Sequence, residues 1–432
     1  MRMKTTNLLS NLLLLLFFTG MITGCDTIFG TKGDETTDEI FEEGRIDPQL
    51  IPDEIGYAAL LPFWDFFDAP TDVFVGYDEL VYVTDRSGLH VLDRAGRPYF
   101  EVLELDGAVA VTQDRDLNVY VAARYDTVVA AVDSSLVWNL PAVFKFRNVN
   151  QGNPVPVDTI IHPFDDISQP ISSVQNARLN KESTINDEYV AFTDITALED
   201  NTIYITRRGP ANLTGRAVAP DNIVMEFQQD PDRGEGKMRN NRLIRALSPV
   251  TPSLISSIGP SAITGFAAPP QRQNMTEDRS FLIAQADPDA NIPFRVLWIN
   301  AEFTPDGLQF SPRSELLARD TTQADRFLYD QYRFFEPSGI AYSADGRDHI
   351  FITDAVTDSL YLFQSRGVEG VNPPPGADRT KPDIVSFGGT GAGPRQFNNP
   401  GGVAYFRQIV YVADTGNNRI TRHKLNTDFE RF

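Results

Sequence analysis

One short apolar pattern recurs along this chain, and its repetition restricts the fold more than any other feature. It appears as Leu80-Val81-Tyr82-Val83-Thr84-Asp85, Val119-Tyr120-Val121-Ala122-Ala123, Ile203-Tyr204-Ile205-Thr206, Phe281-Leu282-Ile283-Ala284, Ile350-Phe351-Ile352-Thr353-Asp354 and Val410-Tyr411-Val412-Ala413-Asp414. Each run is rich in β-branched or aromatic residues and almost continuously apolar, as expected of a strand buried on both faces. Helical spacing is absent, and Gly, Pro or Asp bounds most runs.

The flanks repeat too. About ten residues upstream lies a small-residue strand, as in Asp72-Val73-Phe74-Val75, Asp194-Ile195-Thr196-Ala197 and Gly402-Val403-Ala404-Tyr405. Turn signals such as Ala344-Asp345-Gly346 separate the two, which marks a hairpin. A third strand follows, as in Leu89-His90-Val91-Leu92, Val143-Phe144-Lys145-Phe146 and Ile420-Thr421-Arg422-His423. A repeated hairpin with one or two added strands predicts the blades of a propeller around a channel. The expected fold is therefore all-β, a six-bladed β-propeller over residues 55–432. The fourth copy is the weakest, because Ile263-Thr264-Gly265-Phe266 departs from the pattern. The widest gap, from Tyr120 to Tyr204, leaves room for a seventh, degenerate blade. The sixth copy lacks a fourth strand, and Gly56-Tyr57-Ala58-Ala59-Leu60-Leu61 can supply it, closing the ring.

The first 24 residues carry Arg2 and Lys4, an apolar run from Leu8 through Phe18, and small residues before Cys25. This describes an export signal too short to span a bilayer, with an uncleaved membrane anchor as the alternative. Ile22-Thr23-Gly24-Cys25 resembles a bacterial lipobox, and the resemblance implies cleavage before Cys25 and lipid attachment to its thiol. Cys25 is the only cysteine, so no disulfide can form within the chain. Residues 25–54 are polar and acidic, including Asp34-Glu35, Asp38-Glu39 and Glu42-Glu43, and read as a flexible tether. Such acidic residues resemble surface-export signals of some Bacteroidetes lipoproteins, whereas Asp26 resembles an inner-membrane retention signal. The expected location is the cell envelope, at the outer membrane or cell surface rather than the inner membrane. The formal charge of −21 repels phosphate backbones, which argues against nucleic acid as a partner.

Phe397-Asn398-Asn399-Pro400-Gly401-Gly402-Val403-Ala404, followed by Val410 to Ile420 with Asp414-Thr415-Gly416-Asn417-Asn418-Arg419, resembles an NHL repeat. Phe335-Glu336-Pro337-Ser338-Gly339 with Thr353-Asp354 is a second copy, and Phe67-Asp68-Ala69-Pro70-Thr71-Asp72 with Thr84-Asp85 a third. Asp85, Asp354 and Asp414 occupy one blade position and are expected in separate turns, with structural roles. Asn417 and Asn418 suit left-handed turn geometry, and Arg419 is expected to pair with a nearby acid.

Candidate chemistry is sparse. His90, His162, His349 and His423 fall away from the inner-strand starts where metal-binding propeller enzymes place ligands. Asp72, Asp106 and Asp194 sit at or just before inner strands and are candidates for one channel mouth, where an oxygen-rich ring suits Ca²⁺. The competing expectation for them is turn-capping. Trp138 is the tryptophan least tied to a strand, open to ligand contact or to loop packing. The favoured reading is a lipid-anchored, non-catalytic scaffold binding an envelope protein, peptide or glycan, with no catalytic residues and no required cofactor. The alternative is a Ca²⁺- or Zn²⁺-dependent hydrolase or lyase, as the resemblance to lactonase and amidating-lyase propellers implies.

Overall fold

Each of the six apolar runs forms the second strand of its own antiparallel sheet. The computed structural model describes residues 44–130, 132–169, 178–267, 269 and 279–429. Cys25, the export signal and most of the 25–54 tether lie outside them. The first blade comprises Asp72–Val75, Val81–Asp85, Gly88–Leu92 and Leu103–Glu104. The second comprises Ala110–Gln113, Val119–Val128, Val137–Arg147 and Val155–Ile161, and the third Ala191–Ala197, Ile203–Arg208, Ile223–Gln229 and Met238–Leu243. Pro260–Thr264, Phe281–Gln285, Val296–Thr304 and Gly307–Pro312 make the fourth blade. The fifth is Pro337–Tyr342, His349–Asp354, Ser359–Gln364 and Phe387–Gly388. The sixth is Pro400–Phe406, Ile409–Asp414 and Arg419–Leu425, completed by Tyr57–Trp64, with Arg45–Ile46, near the end of the expected 25–54 tether, as a fifth strand at its edge.

The gap that left room for a seventh blade is filled otherwise. The second blade's middle strands run to 10 and 11 residues, forming a projecting hairpin, and its outer strand occupies Val155–Ile161. The chain then passes through a 3-10 turn, Asp187–Tyr189, into the third blade.

The apolar runs are continuous because each face of a second strand packs against a different neighbour. Val81 and Val83 join Val73, Tyr411 and Trp64 between the sixth and first blades. Tyr82, one residue away, points the other way to join Val119, Val121 and Leu89 between the first and second. Tyr120, Tyr204, Leu282, Phe351 and Tyr411 repeat this alternation. Six apolar seams thus replace a single core. Each fully buried side chain of this size contributes roughly 1.5–3 kcal/mol relative to exposure, so the seams hold the ring together.

Closure follows the sequence expectation. Tyr57, Ala58, Ala59 and Leu60 pair with Leu425, Lys424, His423 and Arg422. Joining the strands this way covers an edge that would otherwise template aggregation. Among the described residues no helix is long and apolar enough to cross a membrane.

Candidate functional site

The inner strands of all six blades line a central channel, into which Asp72 and Asp194 face from the first and third blades. Each carboxylate is held the same way. Asp72 accepts the N–H of Val73 at 2.8 Å and, across the blade boundary, that of Val111 at 2.9 Å. Asp194 accepts the N–H of Ile195 at 2.7 Å and that of Ile263, on the fourth blade, at 2.7 Å. Strand register places Ala110, Ala262, Gly339 and Gly402 at the corresponding positions of the other blades. Small residues there leave room for the two acids.

Burial pushes the Asp72 carboxyl up to about 7, against the pull of the Val111 and Val73 N–H groups. Asp194 is raised well above the carboxylate range, by burial first and by the nearby Asp72 charge second. The cavity holds about 80 Å³, space for a few waters. Sites for small organic ligands usually need about 300 Å³ or more.

Asp106 stands apart from these two. It is exposed, and its side chain accepts from the Asn139 amide on the projecting hairpin. None of the four histidines lines the channel. His90 meets Asp85 at 2.7 Å, and His423 is buried beside Phe387 and Phe397. His349 begins a strand and is buried. Among the described residues no group of three or more His, Cys, Asp or Glu is arranged to hold a metal ion.

The rim where the inner strands begin carries a construction that sequence reasoning missed. His162, Asp166, Arg178, Asp187, Arg207 and Asp221 form one buried ionic network. Arg178 grips Asp221 with two hydrogen bonds of 2.7 and 2.9 Å and reaches Asp187 at 3.0 Å. His162 donates from Nε2 to Asp187 at 3.1 Å, since its Nδ1 accepts from Arg207 at 3.2 Å. Arg207 also pairs with Asp166 and donates to the Pro220 carbonyl. Burial lowers the His162 pKa, opposed by its Asp187 bond, while Arg207 overcomes burial to draw Asp166 down to about 2.

Burying so many charges is costly, and such pairs are weak sources of net stability. What this network does is fix two surface segments. Asp187 belongs to the 187–189 turn, and Asp221 accepts the Ala211 N–H within the 209–222 loop. Arg178 therefore ties both segments to one buried cation. From the second blade, Arg124 donates to the carbonyls of Val190 and Glu188, clamping the hairpin to the same turn. Trp138, near the hairpin's tip, lies in the strand Val137–Arg147 and is fully buried, with Lys181 stacked 4.4 Å from its ring centre. The sequence signal was hidden because these ligands are scattered through a polar stretch that reads as loop.

The third notable arrangement is the turn of the sixth blade. Asp414 accepts the Asn398 N–H at 2.8 Å, the Asn417 amide at 2.9 Å and Arg419 Nε at 2.7 Å. Arg419 goes on to the carbonyls of Ala392, Gly393 and Gln396, and Asn418 adopts a left-handed φ of 53°. Asp85 and Asp354 do the same work in their own blades. Asp85 accepts from the N–H groups of Asp68, Ser87 and Gly88, and Asp354 from those of Phe335, Glu336, Val356 and Thr357.

These sheets and seams define a six-bladed β-propeller. Within it, residues 397–422, the Asp414–Arg419 turn included, match the NHL repeat family. No curated protein matches the chain in sequence. Among solved structures, an auxiliary nutrient binding protein from Bacteroides thetaiotaomicron is 10% identical, with a TM-score of 0.45 over 88% of this chain and 75% of its own. A gluconolactonase from Xanthomonas campestris is 9% identical, at 0.44 over 88% and 94%. Virginiamycin B lyase from Staphylococcus aureus is 10% identical, at 0.41 over 86% and 100%. Similarity at this level concerns the fold, and function has to be read from the residues of this chain.

Proposed function

We propose that the chain is a lipid-anchored envelope protein whose propeller is a non-catalytic binding scaffold. The observation that carries this reading is the buried network from His162 to Asp221, which rigidifies an exposed rim without presenting a reactive group to solvent. Positioning of this kind suits recognition, because a pre-ordered surface loses less entropy on binding. The anchor is Cys25, with residues 25–54 as the tether, and the partner is an envelope protein, peptide or glycan.

A second reading has one observation in its favour: Asp72 and Asp194 share the channel. Under it, the pair would contribute oxygen ligands to a Ca²⁺ in a metal-dependent hydrolase or lyase. Against it, each carboxylate already accepts two backbone N–H bonds and acts as a staple between blades.

Elemental analysis of the purified full chain, with melting measured with and without chelator, separates the two. The binding reading expects no stoichiometric divalent metal and an unchanged melting temperature. One equivalent of metal with a large chelator-induced drop would overturn it.

A further inference from the structure

The network supports something particular at the surface. Arg208 follows Arg207 directly and pairs across the strand with Ala191, two residues beyond Tyr189. Unlike Arg207, its side chain is exposed, and it has no hydrogen bond or ion pair among the described residues. Two cavities adjoin it. One, a shallow surface depression, lies between Arg208, Tyr189 and Pro210. The other, of about 260 Å³, runs from Arg208 past Gly259 to Asp287. Tyr189 is 61% exposed, although the turn bearing it is fixed by Asp187 below. Asn212 and Asn222 hold the opposite wall, bonding Gly209 and each other.

Three ligand features follow. A free guanidinium takes a carboxylate with two parallel hydrogen bonds. An exposed tyrosine ring on a fixed turn offers a flat surface for the apolar face of a ring. Asp287, at the far end of the second cavity, offers carboxylate oxygens as hydrogen-bond acceptors to hydroxyl groups. The acidic chain repels a polyanion, so a single carboxylate is the charge that fits. We propose that this rim site binds a glycan end carrying one uronic acid, its carboxylate on Arg208 and its ring on Tyr189. The proposal rests on the binding reading above and names its ligand class.

Titration calorimetry of the full chain with a glucuronate-terminated disaccharide, and with neutral cellobiose, tests it. Saturable binding of the acidic sugar is expected, with cellobiose at least tenfold weaker, as loss of a charge-assisted hydrogen bond implies. Arg208→Met should weaken the acidic sugar about tenfold or more and leave cellobiose unchanged. Tyr189→Ala should weaken both, and neither variant should shift the melting temperature by more than a degree or two. Arg379→Met, on a distant exposed loop, should bind as the parent does. Equal affinity for the two sugars, or binding indifferent to Arg208→Met, overturns the site. Failure here with no metal and no chelator shift leaves the scaffold reading standing, whereas stoichiometric metal removes that reading itself.

Discussion

Gly402 lies against the carboxylate of Asp72, so closely that a Cβ on Gly402 would collide with Oδ1. The two residues come from opposite ends of the fold, the sixth and first blades, and meet at the seam where the ring closes. The Gly402 N–H also donates to the Thr71 carbonyl across that seam, at 2.9 Å. The glycine is needed here for close approach rather than for unusual backbone angles.

Gly402→Ala should therefore cost about 1–3 kcal/mol, the usual range for overpacking. In an Asp72→Ala background the same change should cost less, since the collision with the carboxylate is gone. Urea unfolding of the two single variants and the double variant measures this coupling. Strict additivity would mean that the two residues do not press on one another.

The channel acid predicts a pH effect of definite sign. Asp72 titrates near 7 in the fold and near the ordinary carboxylate value when unfolded, so the folded state binds more protons between these limits. Its contribution to stability is full below about 4, declines as pH rises, and is lost above about 7. Asp72→Asn cannot titrate. Its melting temperature relative to the parent should rise steadily from pH 4 to pH 8, and a constant difference would show that Asp72 titrates normally.

His423 should act in the opposite direction. Burial, with Arg395, Arg419 and Arg422 nearby, draws its pKa from 6.5 down to about 3. The stability linked to it is complete above pH 6.5 and falls away as the pH drops toward 3, by about 1.4 kcal/mol per unit. His423→Phe retains the packing between Phe387 and Phe397 and loses the bond to Thr421. The variant should melt slightly lower than the parent at pH 8 and higher at pH 4. Parallel melting curves across that range would contradict the assignment.

Arg178→Met tests the rim. Removing the shared cation leaves Asp187 and Asp221 buried without their principal partner, a change worth about 3–5 kcal/mol. Proteolysis should then cut first within 178–222, ahead of global unfolding. Uniform resistance would mean that the network does not hold the rim.

The blade pattern was legible because a two-sided seam demands unbroken apolar strands, as Val81-Tyr82-Val83 shows, and because the Asp414 turn keeps its ligands within a few residues. Closure by Tyr57–Trp64 was legible for a similar reason, a missing strand at one end and a spare one at the other. The rim was not. His162 and Asp187 lie 25 positions apart and Arg178 and Asp221 lie 43 apart, within segments whose polarity signals only a loop. Asp106 shows the converse failure. It lies further ahead of its second strand than Asp72 and Asp194 do, so Ala110 takes their register position and the Asp106 side chain meets Asn139 of the long hairpin instead.

Gly56 and Asn426, which flank the closing strand pair, are joined by a hydrogen bond across 370 positions of sequence. At the usual pace of synthesis the first partner waits on the order of tens of seconds for the second. Throughout that interval the growing ring exposes an unpaired edge at each end. Whatever guards the nascent chain must therefore stay with it until the sixth blade is made, and a product truncated before that blade is left as an open arc that can stack on others of its kind.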